Sequence, residues 1–364
     1  MMLIRADRLV TASDVYEPGL LRVEGDRVVE AGSWTTGTPD LAVGTLAPGL
    51  VDVHSHGGGT ASFSTDPETA IMAHRRTGTT TQIASLVTES YDNLEAQVRM
   101  LAPYVEGGEL AGIHLEGPWL AEEFHGAHAV PLLRDPEWSA IERLLDAGPV
   151  KMVTLAVERP GGLEACRRLA DRGVIAAIGH TNADYETTIA ALIAGASGGT
   201  HLFNAMRPIH HRRPGPIVAL MADPTATLEL IVDGTHLHPS LVTYIANTNP
   251  ERVIFVTDAM AAAGAADGDY ILGTLAVEVR GGVARIAGTE TIAGSTLTLS
   301  KALSNAVAYG VDPLVAVRAA TIQPARWLGL DAGDLVVGGR ADAVVLDEHW
   351  SVTRVLRRGE WLSS

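Results

Sequence analysis

The pattern of apolar and polar positions changes texture twice along the chain. Up to about residue 46, short apolar runs alternate with turn residues, and Leu20-Leu21-Arg22-Val23-Glu24-Gly25-Asp26-Arg27-Val28-Val29 reads as a β-hairpin. The same texture returns from Gly333 onward, through Ala343-Val344-Val345-Leu346 and Val355-Leu356. Neither end has enough strands to close its own core. The two are therefore expected to pair into one small β-sandwich, residues 1–46 with 332–364. Between them, residues 47–331 alternate strand-like runs with helical patterns. The runs lie at 50–54, 81–87, 112–116, 152–157, 174–179, 200–203, 228–233 and 253–258. Amphipathic or Ala-rich segments follow most of them, at 66–77, 90–102, 137–147, 161–172, 184–195 and 239–247. Eight such units predict an α/β fold, a parallel (β/α)8 TIM barrel. Residues 270–290 look like a hairpin inserted after the eighth strand. No internal repeat or low-complexity tract interrupts the pattern.

Composition narrows the function without naming it. The chain has 364 residues, ample for a barrel with a smaller attached unit. Its formal charge of −16 argues against binding nucleic acid or an anionic membrane through the bulk field. An anionic substrate would have to meet a local basic cluster, and His210-His211-Arg212-Arg213 is the dense one. Cys166 is the only cysteine, so no intrachain disulfide can form, and its helix-like context suggests a half-buried side chain rather than a nucleophile. The N-terminus lacks an apolar signal core. No apolar run approaches the roughly 20 residues of a membrane helix. A soluble, cytoplasmic protein is expected.

The candidate chemistry lies at the strand ends. His54 and His56 end the first strand, Glu116 the third, His180 the fifth, His201 the sixth and Asp258 the eighth. In a parallel barrel these positions converge on the C-terminal mouth, where the active sites of such folds lie. Imidazoles and carboxylates in this mixture suit zinc or iron better than magnesium or calcium. His54 and His56, two apart in extended chain, point to one side and can share an ion. His114 shares the strand face of Glu116 and is either a supporting residue or merely buried. His74 and His349 are read as core histidines. Lys151 begins the fourth strand, at the wrong end, and Lys301 lies in a late helix. Neither reaches the mouth, so a carboxylated lysine cannot bridge two ions here, and the bridging carboxylate is expected from Glu116.

Several segments resemble the N-acetylglucosamine-6-phosphate deacetylase family of the amidohydrolase superfamily. They include Pro48-Gly49-Leu50-Val51-Asp52-Val53-His54, His114-Leu115-Glu116-Gly117-Pro118-Trp119 and Gly126-Ala127-His128. Farther on come Ile178-Gly179-His180-Thr181-Asn182-Ala183, His201-Leu202-Phe203-Asn204-Ala205-Met206, Asp233-Gly234-Thr235-His236, Val256-Thr257-Asp258-Ala259-Met260 and Ile292-Ala293-Gly294-Ser295. The resemblance covers essentially the whole chain.

It implies that Glu116, His180 and His201 hold a primary divalent metal, zinc first, with iron, cobalt or manganese as alternatives. Because His54 and His56 are kept, it also implies up to two ions per subunit, with Glu116 between them. A metal-activated water would attack the N-acetyl amide of a phosphorylated N-acetyl amino sugar. Asp258 would take the water proton and deliver it to the departing amine. His128 would help stabilise the acetyl oxygen. The matching substrate contacts are Ala127, His128, Asn204, Ala205, His236, Ile292, Ala293 and Gly294, with Arg212 binding the phosphate of the neighbouring subunit's substrate in a homodimer. His238 is expected outside the site. Rival readings are a deacetylase of N-acetylgalactosamine 6-phosphate or an unphosphorylated acetamido sugar, a hydrolase of N-acyl amino acids, and a metal-binding protein without turnover.

Overall fold

The computed structural model describes residues 1–363. Its centre is a ring of parallel strands: the first Leu50–Asp52, the second Thr79–Gln82 continued by Ala84–Leu86, the third Ile113–Glu116 and the fourth Val150–Leu155. The fifth is Ile175–Ile178, the sixth Ala196–Gly199, the seventh Thr227–Ile231 and the eighth Val253–Val256. Each pairs with the next in parallel register. The eighth returns to the first through a parallel bridge between Ser55 and Ala259, with Asp258 N–H donating to the His54 carbonyl at 2.8 Å. The domain is TIM-barrel-like, and the helices between strands cover its outside. Their starts follow ordinary capping: Asp66, Ser90, Asp184 and Thr298 each accept from a backbone N–H in the first turn.

The sixth strand is displaced from its expected place at 200–203 to Ala196–Gly199. Its Ala-Ser-Gly-Gly sequence carries little strand propensity. Packing explains its use: a Cβ on Gly198 would come within 2.5 Å of the Trp327 ring, and one on Gly199 within 2.6 Å of Leu220. Only bare backbone fits between those side chains, so His201 lies beyond the strand rather than in it. The helix Gly215–Ala222, which follows this strand, is apolar on nearly every side and shows no helical period.

Both termini contribute to one mixed sheet of eight strands, in which Leu41–Pro48 pairs with Met2–Val10 on one side and Ala343–Leu346 on the other. This is a single continuous sheet where two layers were expected. Its edge strand Arg27–Ser33 turns back onto residue 340, enclosing Ile4, Leu21, Leu46 and Leu356. The opposite face, with Val10, Ala47 and Val344, joins the barrel core. His349 is corrected here: it sits exposed in the turn between the strands Ala343–Leu346 and Val352–Arg357 rather than in a core. His74 is buried, with Nε2 on the Gly57 carbonyl at 2.8 Å. After the eighth strand the insertion is a three-stranded meander, Gly268–Leu272, Leu275–Arg280 and Val283–Ile286, with its own apolar cluster around Met260, Leu272 and Val277.

Candidate metal centre

Strand ends aim the polar side chains inward, at a cost in backbone strain. His180, His201 and Asp258 all sit just past their strands with φ of 48°, 32° and 48°. Side chains other than glycine are uncommon there, and such residues concentrate at functional sites. The conformation breaks strand alternation and turns each side chain toward the barrel axis. Asp52 secures the seam below them. Its buried carboxylate accepts from Thr257 Oγ1 at 2.6 Å and from the backbone N–H groups of His54 and Thr257, tying the first strand to the eighth.

The result is a cluster centred on Glu116. Its Oε1 lies 3.0 Å from His201 Nε2 and 3.2 Å from His180 Nε2, while Oε2 lies 3.1 Å from His56 Nε2. On the other flank, Asp258 Oδ1 is 3.3 Å from His56 Nε2 and 3.5 Å from His54 Nε2. Two ligand groups result, His54, His56, Glu116 and Asp258 on one side and Glu116, His128 and His180 on the other. Lys151 is in the fourth strand near its start and Lys301 in the helix Leu299–Tyr309, so Glu116 is the carboxylate between the flanks.

The donor set fits divalent cations. His180 Nδ1 faces the Phe124 carbonyl at 2.8 Å, and His56 Nδ1 the Ser85 carbonyl at 3.1 Å. Carbonyls only accept, so both rings carry their proton on Nδ1 and present a bare Nε2. His54 does the same through Nδ1–H to Glu229 Oε2 at 3.1 Å. The bare nitrogens of His54 and His56 then converge at 3.3 Å, and that of His180 lies 3.1 Å from His201 Nε2. Lone pairs at that distance repel unless a cation lies among them. The same conflict appears in the acidities without one. Burial opposes charge on His56, yet hydrogen bonds to Asp258 and Glu116 raise it to about 9. Burial and the neighbouring His128 push His180 down to about 4. Burial also opposes ionisation of Glu116 and Asp258, but His54 and the surrounding imidazoles hold both well below the usual carboxylate range.

The cluster opens into a cavity of about 380 Å³. Of the expected contacts, Ala127, His128, Asn204, Ala205, His236, Ile292 and Gly294 line it. His128 Nδ1 accepts from the Thr88 N–H at 3.3 Å, which leaves its proton on Nε2, directed at the cluster. His236 gives its Nδ1–H to Asp233 at 2.7 Å and offers a bare Nε2. Asn204 is turned inward, its side-chain amide and backbone N–H both donating to the His201 carbonyl. Ala293 faces away, buried in the apolar cluster of the meander. Arg212 does not line the cavity: it is exposed, with its guanidinium 2.7 Å from His211 Nε2. His238 caps the helix Pro239–Thr248, outside the site. His114 is buried beneath the cluster, held by Ser85 and Thr154 at 2.9 and 2.8 Å.

Glu229 escaped sequence reasoning altogether. It is fully buried in the seventh strand, against His54. The available signal was a single acid inside the apolar run Leu228-Glu229-Leu230-Ile231-Val232 of a barrel strand. Glu290, Thr291, Leu272 and Val87 also line the cavity, and they come from the meander and a loop that apolar patterning does not place there.

The chain as a whole is similar to known proteins. Residues 45–362 match the amidohydrolase family. The human N-acetylglucosamine-6-phosphate deacetylase is 35% identical over 98% of this chain and 91% of its own length. An N-acetylgalactosamine-6-phosphate deacetylase of Escherichia coli O157:H7 is 33% identical over 99% of both chains. A solved structure of a mutant N-acetyl-D-glucosamine-6-phosphate deacetylase from Mycobacterium smegmatis, in complex with N-acetyl-D-glucosamine-6-phosphate, is 50% identical. It superposes with a TM-score of 0.97 over 99% of this chain and 98% of that one.

Proposed function

The chain belongs to the amidohydrolase family, in the branch of the N-acetylglucosamine-6-phosphate deacetylases, and from that premise we propose how its site works. It is a hydrolase of amino-sugar metabolism that cleaves the N-acetyl group of N-acetylglucosamine 6-phosphate, giving acetate and glucosamine 6-phosphate. The observation that carries the reading is the meeting of Glu116, His180, His201, His54, His56 and Asp258 at the floor of one cavity, with a proton-bearing His128 Nε2 beside them. Zinc is the proposed metal, with iron, cobalt or manganese as alternatives, and two ions per subunit the proposed complement.

Divalent cations held by these residues would lower the pKa of a water molecule far below its bulk value, toward about 7, and would polarise an amide carbonyl. Asp258, ionised and aimed inward, takes the proton of the attacking water at Oδ1. It then returns that proton to the amine nitrogen as the C–N bond breaks. His128 donates from Nε2 to the acetyl oxygen as negative charge gathers on it. His236 accepts from a sugar hydroxyl, and the Ala205 backbone with Asn204 borders the sugar. The rest of the ligand extends away from the metal. Arg212, exposed and outside the lining of its own cavity, binds the phosphate in the site of a second copy, which makes the working unit a homodimer. Among the described residues no helix is long and apolar enough to cross a membrane. Cytoplasmic action on a phosphorylated sugar is the proposed setting.

The second reading is the galacto epimer, which the E. coli O157:H7 relative's own name favours. Comparing kcat/KM for the two 6-phosphate epimers decides between them. A higher value for the gluco epimer supports the first reading; a higher value for the galacto epimer replaces it.

A further inference from the structure

We propose that Glu229 is a positioning residue for His54 and thereby sets how tightly the cation position formed by His54, His56 and Asp258 is filled. Glu229 lies between Leu228 and Leu230 in the seventh strand and is fully buried. Its Oε2 accepts from His54 Nδ1 at 3.1 Å and from the backbone N–H of His201 at 3.0 Å. Its Oε1 is buried with no hydrogen-bond partner. Among the described residues, His54 is its sole ion-pair partner.

A strand needs no acid at this point, and burying one is costly unless positive charge opposes it. The one route from Glu229 to positive charge runs through the His54 ring. By holding the proton on Nδ1, Glu229 keeps His54 Nε2 bare and more basic, which strengthens its bond to a cation. Asp52 is also buried nearby, but its oxygens are occupied by Thr257 and the His54 N–H. Glu116, Asp258 and Glu229 therefore place three carboxylates around the centre. One divalent ion leaves them in excess of the positive charge, and two do not. The contact to His201 is made to its backbone, so the side-chain effect falls on the His54 flank and not on the His180 and His201 flank.

The inference rests on the two-ion reading, and the test separates the two. Full-length protein, stripped by chelation, is titrated with zinc against a chromophoric chelator. Wild type is expected to take up two equivalents. Glu229→Gln is expected to weaken one of them roughly 10- to 100-fold and leave the other unchanged. Glu229→Asp, whose shortened side chain withdraws from His54, should do the same and guards against a folding defect in the first variant. In a His54→Asn background, Glu229→Gln should add nothing. Equal weakening of both equivalents, no weakening, or a persistent effect without His54 would overturn the role of Glu229. A wild type that takes up a single equivalent contradicts the two-ion reading itself, whatever the variants do.

Discussion

At the floor of the cavity, His54, Glu116 and His201 are buried, and His54, His56 and His180 each have their second ring nitrogen tied to another group. Arg212, farther along the loop that follows His201, is exposed, and its guanidinium meets its neighbour His211. In the proposed function both regions serve one substrate, and they are built differently because their tasks differ. The metal end must hold bare nitrogens and carboxylates close together, which is tolerable only where hydrogen bonds fix each proton and a cation offsets the charge. The proposed phosphate end would need only a charge-assisted fork, which water can solvate until the ligand and a second copy arrive. The proposed function therefore puts the chemistry in the buried end and affinity for the phosphate in the exposed one.

The largest expected effect breaks the buried end. Glu116→Gln removes the carboxylate shared by both flanks, and turnover should fall by at least about 10⁴-fold with loss of bound metal, read by elemental analysis. Retained metal and activity would mean that Glu116 does not join the flanks. Chelation of the wild type should abolish activity in the same way, and adding zinc back should restore it. Asp258→Asn keeps the size of the side chain and removes the proton acceptor. A fall of roughly 10²–10⁴-fold in kcat with little change in KM is expected from steady-state kinetics. A change confined to KM would make Asp258 a binding group only. Arg212→Ala reaches the exposed end and should leave kcat nearly unchanged. It should raise KM for the phosphate ester roughly 10- to 100-fold, the equivalent of about 1.5–3 kcal/mol for charge-assisted bonds. An equal loss on the unphosphorylated sugar would dissolve the contrast between the two ends.

Legibility in the sequence follows the same division. The metal end showed because candidates close apolar runs: Val51-Asp52-Val53-His54, Ile178-Gly179-His180 and Phe255-Val256-Thr257-Asp258 each lead from a strand to a candidate ligand. What patterning cannot reveal is backbone conformation without glycine to signal it, as at His180, His201 and Asp258. It also misplaced the sixth strand, where Gly198 and Gly199 are chosen for close approach rather than for apolar alternation. Glu229 was missed because an acid in a strand is ordinarily a solvated one, and only the closed ring shows that no solvent reaches it. At the proposed phosphate end, the cluster at 210–213 was visible as charge, but its place outside the lining of its own cavity is a property of the fold alone.

The most direct test is amine release from N-acetylglucosamine 6-phosphate by metal-replete protein, with unphosphorylated N-acetylglucosamine measured beside it. Rapid turnover of the phosphate ester, with the unphosphorylated sugar far slower in kcat/KM, is the predicted result. No turnover of either by protein that carries its metal would contradict the substrate assignment and leave only the barrel and its metal centre standing.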